Sequence, residues 1–278
     1  MRFRISAAVV TGAVVLTGLS APAAQADEKP AGFSKAFAAK PQGDISIGDI
    51  KISDVSLNGG KPVIVGTTKE KKVTLTFKAI DNSGVNVAFA YLWRGNDPQD
   101  PQGFFFADSG EKDVKCSGSG KKTKATCKMT FTIDPSFDLS NTDAGGGWRV
   151  MAAAQANDGN VRAMYKAKSF NLNRGSQISI NAAPEPVKKG KDLTITGSLT
   201  RADWESGKYI GYTKQPVQLQ FRKKGAKTFT TVKTVKTGDS RALSTTVKAT
   251  VDGTYRYSFA GSSTTAPVTN GGDFVDVN

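Results

Sequence analysis

The side chains best suited to chemistry in this sequence are basic and lie in two tight runs. Lys121, Lys122 and Lys124 flank Thr123, and Arg222, Lys223, Lys224 and Lys227 flank Gly225 and Ala226. Each run separates two stretches of alternating apolar residues, so each is expected at a hairpin tip. A lysine there is a point charge, and an arginine can grip a phosphate with two parallel N–H groups. Both tips are therefore candidate contacts for a polyanion. Lysines on turns also keep sheet edges from pairing with other chains, and charge runs more often serve that purpose.

A second group is aromatic. Trp204, Tyr209 and Tyr212 fall between two predicted strands. On an exposed loop such rings stack on sugars or grip an apolar partner. The competing expectation is a lid folded over one open end of a core, because large aromatic rings are mostly buried. Phe104, Phe105 and Phe106 are consecutive, so in a strand they point to both faces and at least one leaves the core of its own sheet. Packing between domains is the expected use.

Three acidic groups supply hard oxygen donors: Asp97 with Asp100, Asp138 with Asn141 and Asp143, and Asp158 with Asn157 and Asn160. They are calcium candidates at loop ends. None has the regular spacing and distal glutamate of an EF-hand, and Asp, Asn and Gly are also ordinary turn residues. No other cofactor is expected.

The chain has no histidine. That excludes Ser-His-Asp and Cys-His catalysis, histidine-ligated zinc and histidine pH switches. Carboxylate-pair chemistry survives, but no pair is singled out. Residues 118–123 resemble a phosphate loop only superficially. Lys115 stands where the first glycine belongs and Lys122 where the hydroxyl belongs. The expectation is a protein that is not an enzyme. Cys116 and Cys127 are too few for a metal site and too far apart for a redox motif, so a structural disulfide is expected.

The elements that must position these residues begin with a leader. Residues 1–26 combine two arginines, an apolar run and Ala24-Gln25-Ala26, the layout of a cleaved signal peptide. The apolar run is too short to span a bilayer, and no transmembrane segment is expected in the mature chain. Residues 27–43 are rich in Ala, Lys and Pro and read as a flexible arm. No lipid-anchor cysteine or sortase-type motif is visible, so the protein is expected to be secreted, extracellular or loosely wall-associated. The whole chain carries +14. Residues 176–278 hold 15 basic and 8 acidic side chains, against 18 and 14 in residues 44–175. Anionic wall polymers and polysaccharides are the natural extracellular partners of that charge, and intracellular nucleic acid is not expected.

Beyond the arm the pattern is one of strands. Val73, Leu75 and Phe77 alternate with polar residues, Asp81-Asn82-Ser83-Gly84 is a turn, and Val85, Val87, Phe89, Tyr91 and Trp93 form the next apolar row. Cys116 and Cys127 fall on facing strands of a hairpin. Trp148, Val150, Ala152, Ala154 and Ala156 form another row, followed by a turn at 157–160. After a boundary near 173–176, about seven short strands fill roughly 100 residues, the size of an immunoglobulin-like sandwich.

Asp252-Gly253-Thr254-Tyr255-Arg256-Tyr257 resembles the tyrosine corner of immunoglobulin folds, with Tyr257 at the place of their second cysteine. Residues 215–261 resemble the immunoglobulin-like or fibronectin-III-like repeats of secreted bacterial surface proteins, and Gly147-Trp148-Arg149-Val150 parallels Thr254-Tyr255-Arg256-Tyr257. The resemblance covers most of residues 44–278. It implies two tandem antiparallel β-sandwiches, over 44–173 with one disulfide and over 174–278, and by itself no activity. The expected function is non-enzymatic binding or surface association with anionic or carbohydrate polymers. The alternatives are a purely structural or protein-interaction module, touching another surface protein, and a calcium-binding extracellular sandwich.

Overall fold

A computed structural model describes residues 43–98, 100–109, 116–118 and 123–278. The leader, all of the arm except Gly43, and Lys121 and Lys122 lie outside the described residues.

The first nine strands are β1 (Ile45–Ile47), β2 (Lys51–Leu57), β3 (Val63–Val65), β4 (Lys71–Ile80), β5 (Val85–Arg94), β6 (Gly103–Phe106), β7 (Lys124–Ile133), β8 (Gly145–Ala156) and β9 (Val161–Arg174). One sheet runs β2-β4-β7 and the facing sheet runs β6-β5-β8-β9, with β1 antiparallel and β3 parallel to the free edge of β9. The next nine are β10 (Ser176–Ala183), β11 (Asp192–Asp203), β12 (Lys208–Gly211), β13 (Pro216–Lys223), β14 (Thr230–Lys236), β15 (Ala242–Lys248), β16 (Gly253–Phe259), β17 (Val268–Thr269) and β18 (Asp273–Val275). Here β10-β11-β15 faces β14-β13-β16, with β17 and β18 on the edge of β16. Lettered A to G, both halves are A-B-E against C′-C-F-G, the strand order of an immunoglobulin-like sandwich.

Period-two patterning explains the layers. Val73, Leu75, Phe77 and Ala79 of β4 are buried, and β7 answers with Ala125, Cys127, Met129, Phe131 and Ile133. Trp148 lies in the same core, stacked on Phe105 with ring centroids 5.0 Å apart. Cys116 and Cys127 are disulfide-bonded. Ser117 and Thr126 beside them exchange both backbone hydrogen bonds, at 2.8 and 2.9 Å, so the staple does close a hairpin. In the second sandwich Leu193, Ile195, Val217, Leu219, Leu243, Tyr255, Tyr257 and Phe259 form the core.

The structure corrects the expected apolar row of β5. The pairing of β5 with β8 shifts register between Val85 and Val87. A bulge of this kind moves every later side chain to the other face. Val85, Ala88, Ala90 and Leu92 therefore face the core, while Phe89, Tyr91 and Trp93 turn outward. On that outer face they form a second apolar layer with Met151, Ala153, Tyr165 and Phe104. The Trp93 indole donates to the Tyr165 carbonyl at 2.7 Å, and the Arg149 guanidinium lies 5.1 Å from the Trp93 ring centre. Phe104 and Phe106 join this layer edge to face, 4.4 Å apart, rather than packing between domains.

Candidate functional site

The β13–β14 hairpin carries the second basic run. Val217, Leu219 and Phe221 turn into the core, so Gln218, Gln220 and Arg222 face outward. Register places Arg222 opposite Thr254 and Gln220 opposite Arg256 of β16. The Arg256 Nε donates to the Gln220 side-chain oxygen at 2.8 Å. This holds the Arg256 guanidinium 3.7 Å from the ring centre of Phe229, and the Arg222 guanidinium lies 4.7 Å from the same ring. One phenylalanine thus bears two cations, each contact contributing about 0.5–1 kcal/mol at an exposed site. No carboxylate pairs with either arginine among the described residues. Lys223 and Lys227 are exposed. Lys224 bonds Asp252 at 3.1 Å and lies 5.7 Å from the ring of Phe274. The Val277 backbone N–H, then Lys224, holds the Asp252 carboxyl below its ordinary range. Arg256, Phe229 and Phe274 were missed by sequence reasoning. Arg256 lies far along the chain from the tip, and only the register of β13 with β16 brings it there.

The first basic tip is represented by Lys124 alone, exposed at the start of β7 opposite Ile80.

The aromatic candidates are not an exposed rim. Trp204 is 2 % exposed and completes the core of the first sandwich, although it belongs to the β11–β12 hairpin of the second. Its indole donates to the Gly66 carbonyl at 2.8 Å and its backbone N–H donates to the Asn141 side chain at 3.1 Å. Neighbouring Asp203 bonds Asn141 and lies 3.6 Å from the buried Arg174 guanidinium, whose Nε donates to the Ala202 carbonyl. Tyr209 is half-buried against the same core. Tyr212 packs edge-on against Phe259, bonds Ser262 at 3.0 Å and carries Arg201 over its ring at 4.2 Å. The lid reading thus describes Trp204, but the core it closes is that of the neighbouring sandwich. A single aromatic in a polar hairpin cannot reveal which core it enters.

The acidic candidates divide. Asp143 accepts from the Ser140 backbone and hydroxyl and pairs with Arg94 at 2.9 Å, so it caps a turn. Asp138 accepts from the Asp134 N–H at 2.7 Å. Burial, opposed by that hydrogen bond and helped by Asp134 and Glu70, pushes its carboxyl up. Asp97 and Asp100 share an exposed turn in which the Asp100 N–H donates to the Asp97 carbonyl at 3.3 Å. Among the described residues, Asp158 is the candidate that joins a group of three converging carboxylates. Its carboxylate, with those of Asp49 and Asp81, forms a trio in which one oxygen from each lies within 4.8 Å of the others. Asp49 and Asp81 were not singled out beforehand, because three separate loops bring this trio together.

Strand order in both halves defines an all-β protein built of immunoglobulin-like sandwiches. No protein-family model matches the chain, and no curated protein matches it. Among solved structures it is similar to domains A168–A170 of titin, at 13% identity over 84% of this chain and 68% of that one, with a TM-score of 0.29. It is also similar to the D00-D0 domain of intimin, at 15% identity over 80% and 99%, TM-score 0.28. The polymeric immunoglobulin receptor ectodomain of a teleost fish matches at 12% over 82% and 98%, TM-score 0.25. Scores this low leave the strand order as the sole basis for the class. Among the described residues, no helix is long and apolar enough to cross a membrane.

Proposed function

We propose that this protein is a secreted, non-enzymatic binding protein whose second sandwich presents a basic face to an anionic polymer of the cell envelope or matrix. The observation that carries this reading is the Phe229 ring with Arg222 and Arg256 over it. Two guanidinium groups held on one ring are pre-organised, so less side-chain entropy is lost when they meet phosphate, sulfate or carboxylate groups. Lys223 and Lys227 extend the same positive field from the tip, and the half of the chain that bears them has the larger charge surplus. The leader and the disulfide support an oxidising, extracellular setting.

The test is binding of the full chain to purified wall polymer across a salt series. Binding is expected to weaken steeply with salt, and R222A/R256A to weaken it roughly tenfold or more at low salt. Affinity indifferent to salt and to both substitutions overturns the reading. A protein-interaction role is the second reading, favoured by Phe106, 44% exposed at the rim of the outer aromatic layer. Failure of polymer binding together with saturable capture of a surface protein, lost in Phe106→Ser, would select it.

A further inference from the structure

The trio of carboxylates lies at the pole of the first sandwich farthest from the second, where β9 begins. Asp49 comes from the β1–β2 loop, Asp81 from the β4–β5 turn and Asp158 from the β8–β9 turn. The three loops are stitched together by their own polar groups. The Asn82 amide donates to Asp49 at 2.9 Å, the Asn157 backbone N–H to the Gly84 carbonyl at 2.9 Å, and the Asn157 amide to the Ser83 carbonyl at 2.8 Å. Gly48 lets the loops close. Its φ is +75°, and a Cβ there would lie 2.0 Å from Asn160 side-chain atoms.

The electrostatics of this pole are unbalanced. No lysine or arginine pairs with any of the three aspartates among the described residues. Asp81 is 2 % exposed. Its Oδ1 accepts from the Ser83 N–H at 2.8 Å and the Ser83 hydroxyl at 2.6 Å, while its buried Oδ2 has no hydrogen-bond partner. The Asp49 carboxyl and the Asn160 amide lie beside it. A buried carboxylate oxygen costs free energy unless something positive or protic meets it. The group now bridging the others is the Asn160 amide nitrogen, which donates to Asp49 at 2.9 Å and to Asp158 at 3.0 Å. It stands where a cation would sit.

We propose that this pole is a calcium site, with Asp49, Asp81 and Asp158 as carboxylate ligands and the Asn160 side-chain oxygen joining them once its amide turns over. Calcium takes six to eight oxygens at 2.3–2.6 Å, so oxygens on opposite sides of one ion stand about 5 Å apart. One oxygen from each of the three carboxylates already meets that limit, and only the Asn160 amide has to turn. Magnesium holds its ligands at about 2.0–2.1 Å in near-ideal octahedral geometry and sheds water reluctantly, so a site of protein oxygens supplied by three loops suits it less well. The ion gives Asp81 Oδ2 a positive partner, neutralises two of three negative charges and fastens three loops that are distant in sequence. The proposal does not depend on the basic face of the second sandwich.

The test is titration of calcium chloride into chelator-stripped full-length protein, read by calorimetry and by thermal unfolding. A one-site isotherm is expected with Kd about 10⁻⁴–10⁻³ M, the range of extracellular modules. The Tm should rise by roughly 5 °C near saturation, with a smaller rise in equal magnesium. Asp158→Asn should weaken binding roughly tenfold or more and remove the Tm rise. Its metal-free Tm should equal or exceed that of the native chain, since one of three repelling charges is gone. Asp49→Asn, equally exposed, serves if that variant fails to fold. Asp100→Asn should leave the response intact. Absence of heat and of a Tm change at about 10 mM calcium overturns the proposal. So does an undiminished response in both Asp49→Asn and Asp158→Asn.

Discussion

The Tyr257 hydroxyl donates to the Ile195 carbonyl at 3.1 Å, joining the two sheets of the second sandwich through its core. Tyr257 holds the position that the tyrosine-corner resemblance gave to an inter-sheet cysteine, and a hydrogen bond does the linking. Tyr255 lies two residues earlier in the same strand, with its ring tilted against Phe221 at 4.6 Å. Tyr257→Phe keeps the ring and removes the bond, so it should lower stability by about 1 kcal/mol. Urea unfolding should show a lower midpoint with an unchanged slope.

Buried tyrosines set the alkaline limit of the fold. Burial pushes the Tyr257 hydroxyl up to about 12, and burial with the nearby Asp44 carboxylate pushes Tyr165 up to about 12. Burial also pushes Tyr91 and Tyr255 up. In the unfolded chain these phenols ionise near pH 10. The folded state therefore holds the proton more tightly. Its contribution is complete below about pH 10 and is lost as pH rises toward 12. Denaturation midpoints should be flat from about pH 7 to 9 and then fall, with phenolate absorbance appearing late and together with unfolding.

The Cys116–Cys127 bond closes a loop eleven residues apart in sequence, with both residues in the core. Cys116→Ala/Cys127→Ala should cost about 2–4 kcal/mol. Guanidinium unfolding of the native chain with and without reductant should show the same difference, and the variant should be indifferent to reductant.

Trp204→Ala opens a hole in the first sandwich from a position in the second. The expected loss is about 3–5 kcal/mol. Calorimetry should show the first sandwich melting earlier while the second retains its transition. A single transition that does not move would mean that the indole adds nothing to the joint.

Strand rows in β4, β7 and β8 could be read directly, because regular alternation maps each residue to a face. β5 could not, because one extra residue at the bulge reverses the assignment, and its aromatic row looked more core-like than Ala88 and Ala90. The hairpin disulfide followed from spacing, whereas the partner core of Trp204 did not. The site residues divide in the same way. Arg222 and its lysine neighbours are contiguous and visible as a run. Arg256 and Phe229 come together only across strand register, and Asp49, Asp81 and Asp158 only at a pole where three loops meet. Chemistry assembled from distant segments leaves no local trace in a single sequence.

The seam between the halves has a hereditary consequence. Only Gly175 separates the end of β9 from the start of β10, and across that seam the Trp204 indole donates to the Gly66 carbonyl and the Trp204 backbone N–H to the Asn141 side-chain oxygen. Neither half is a free cassette. Shuffling the second sandwich for another would strand Asn141 and uncap its neighbour's interior, so drift on one side of the seam must be answered on the other.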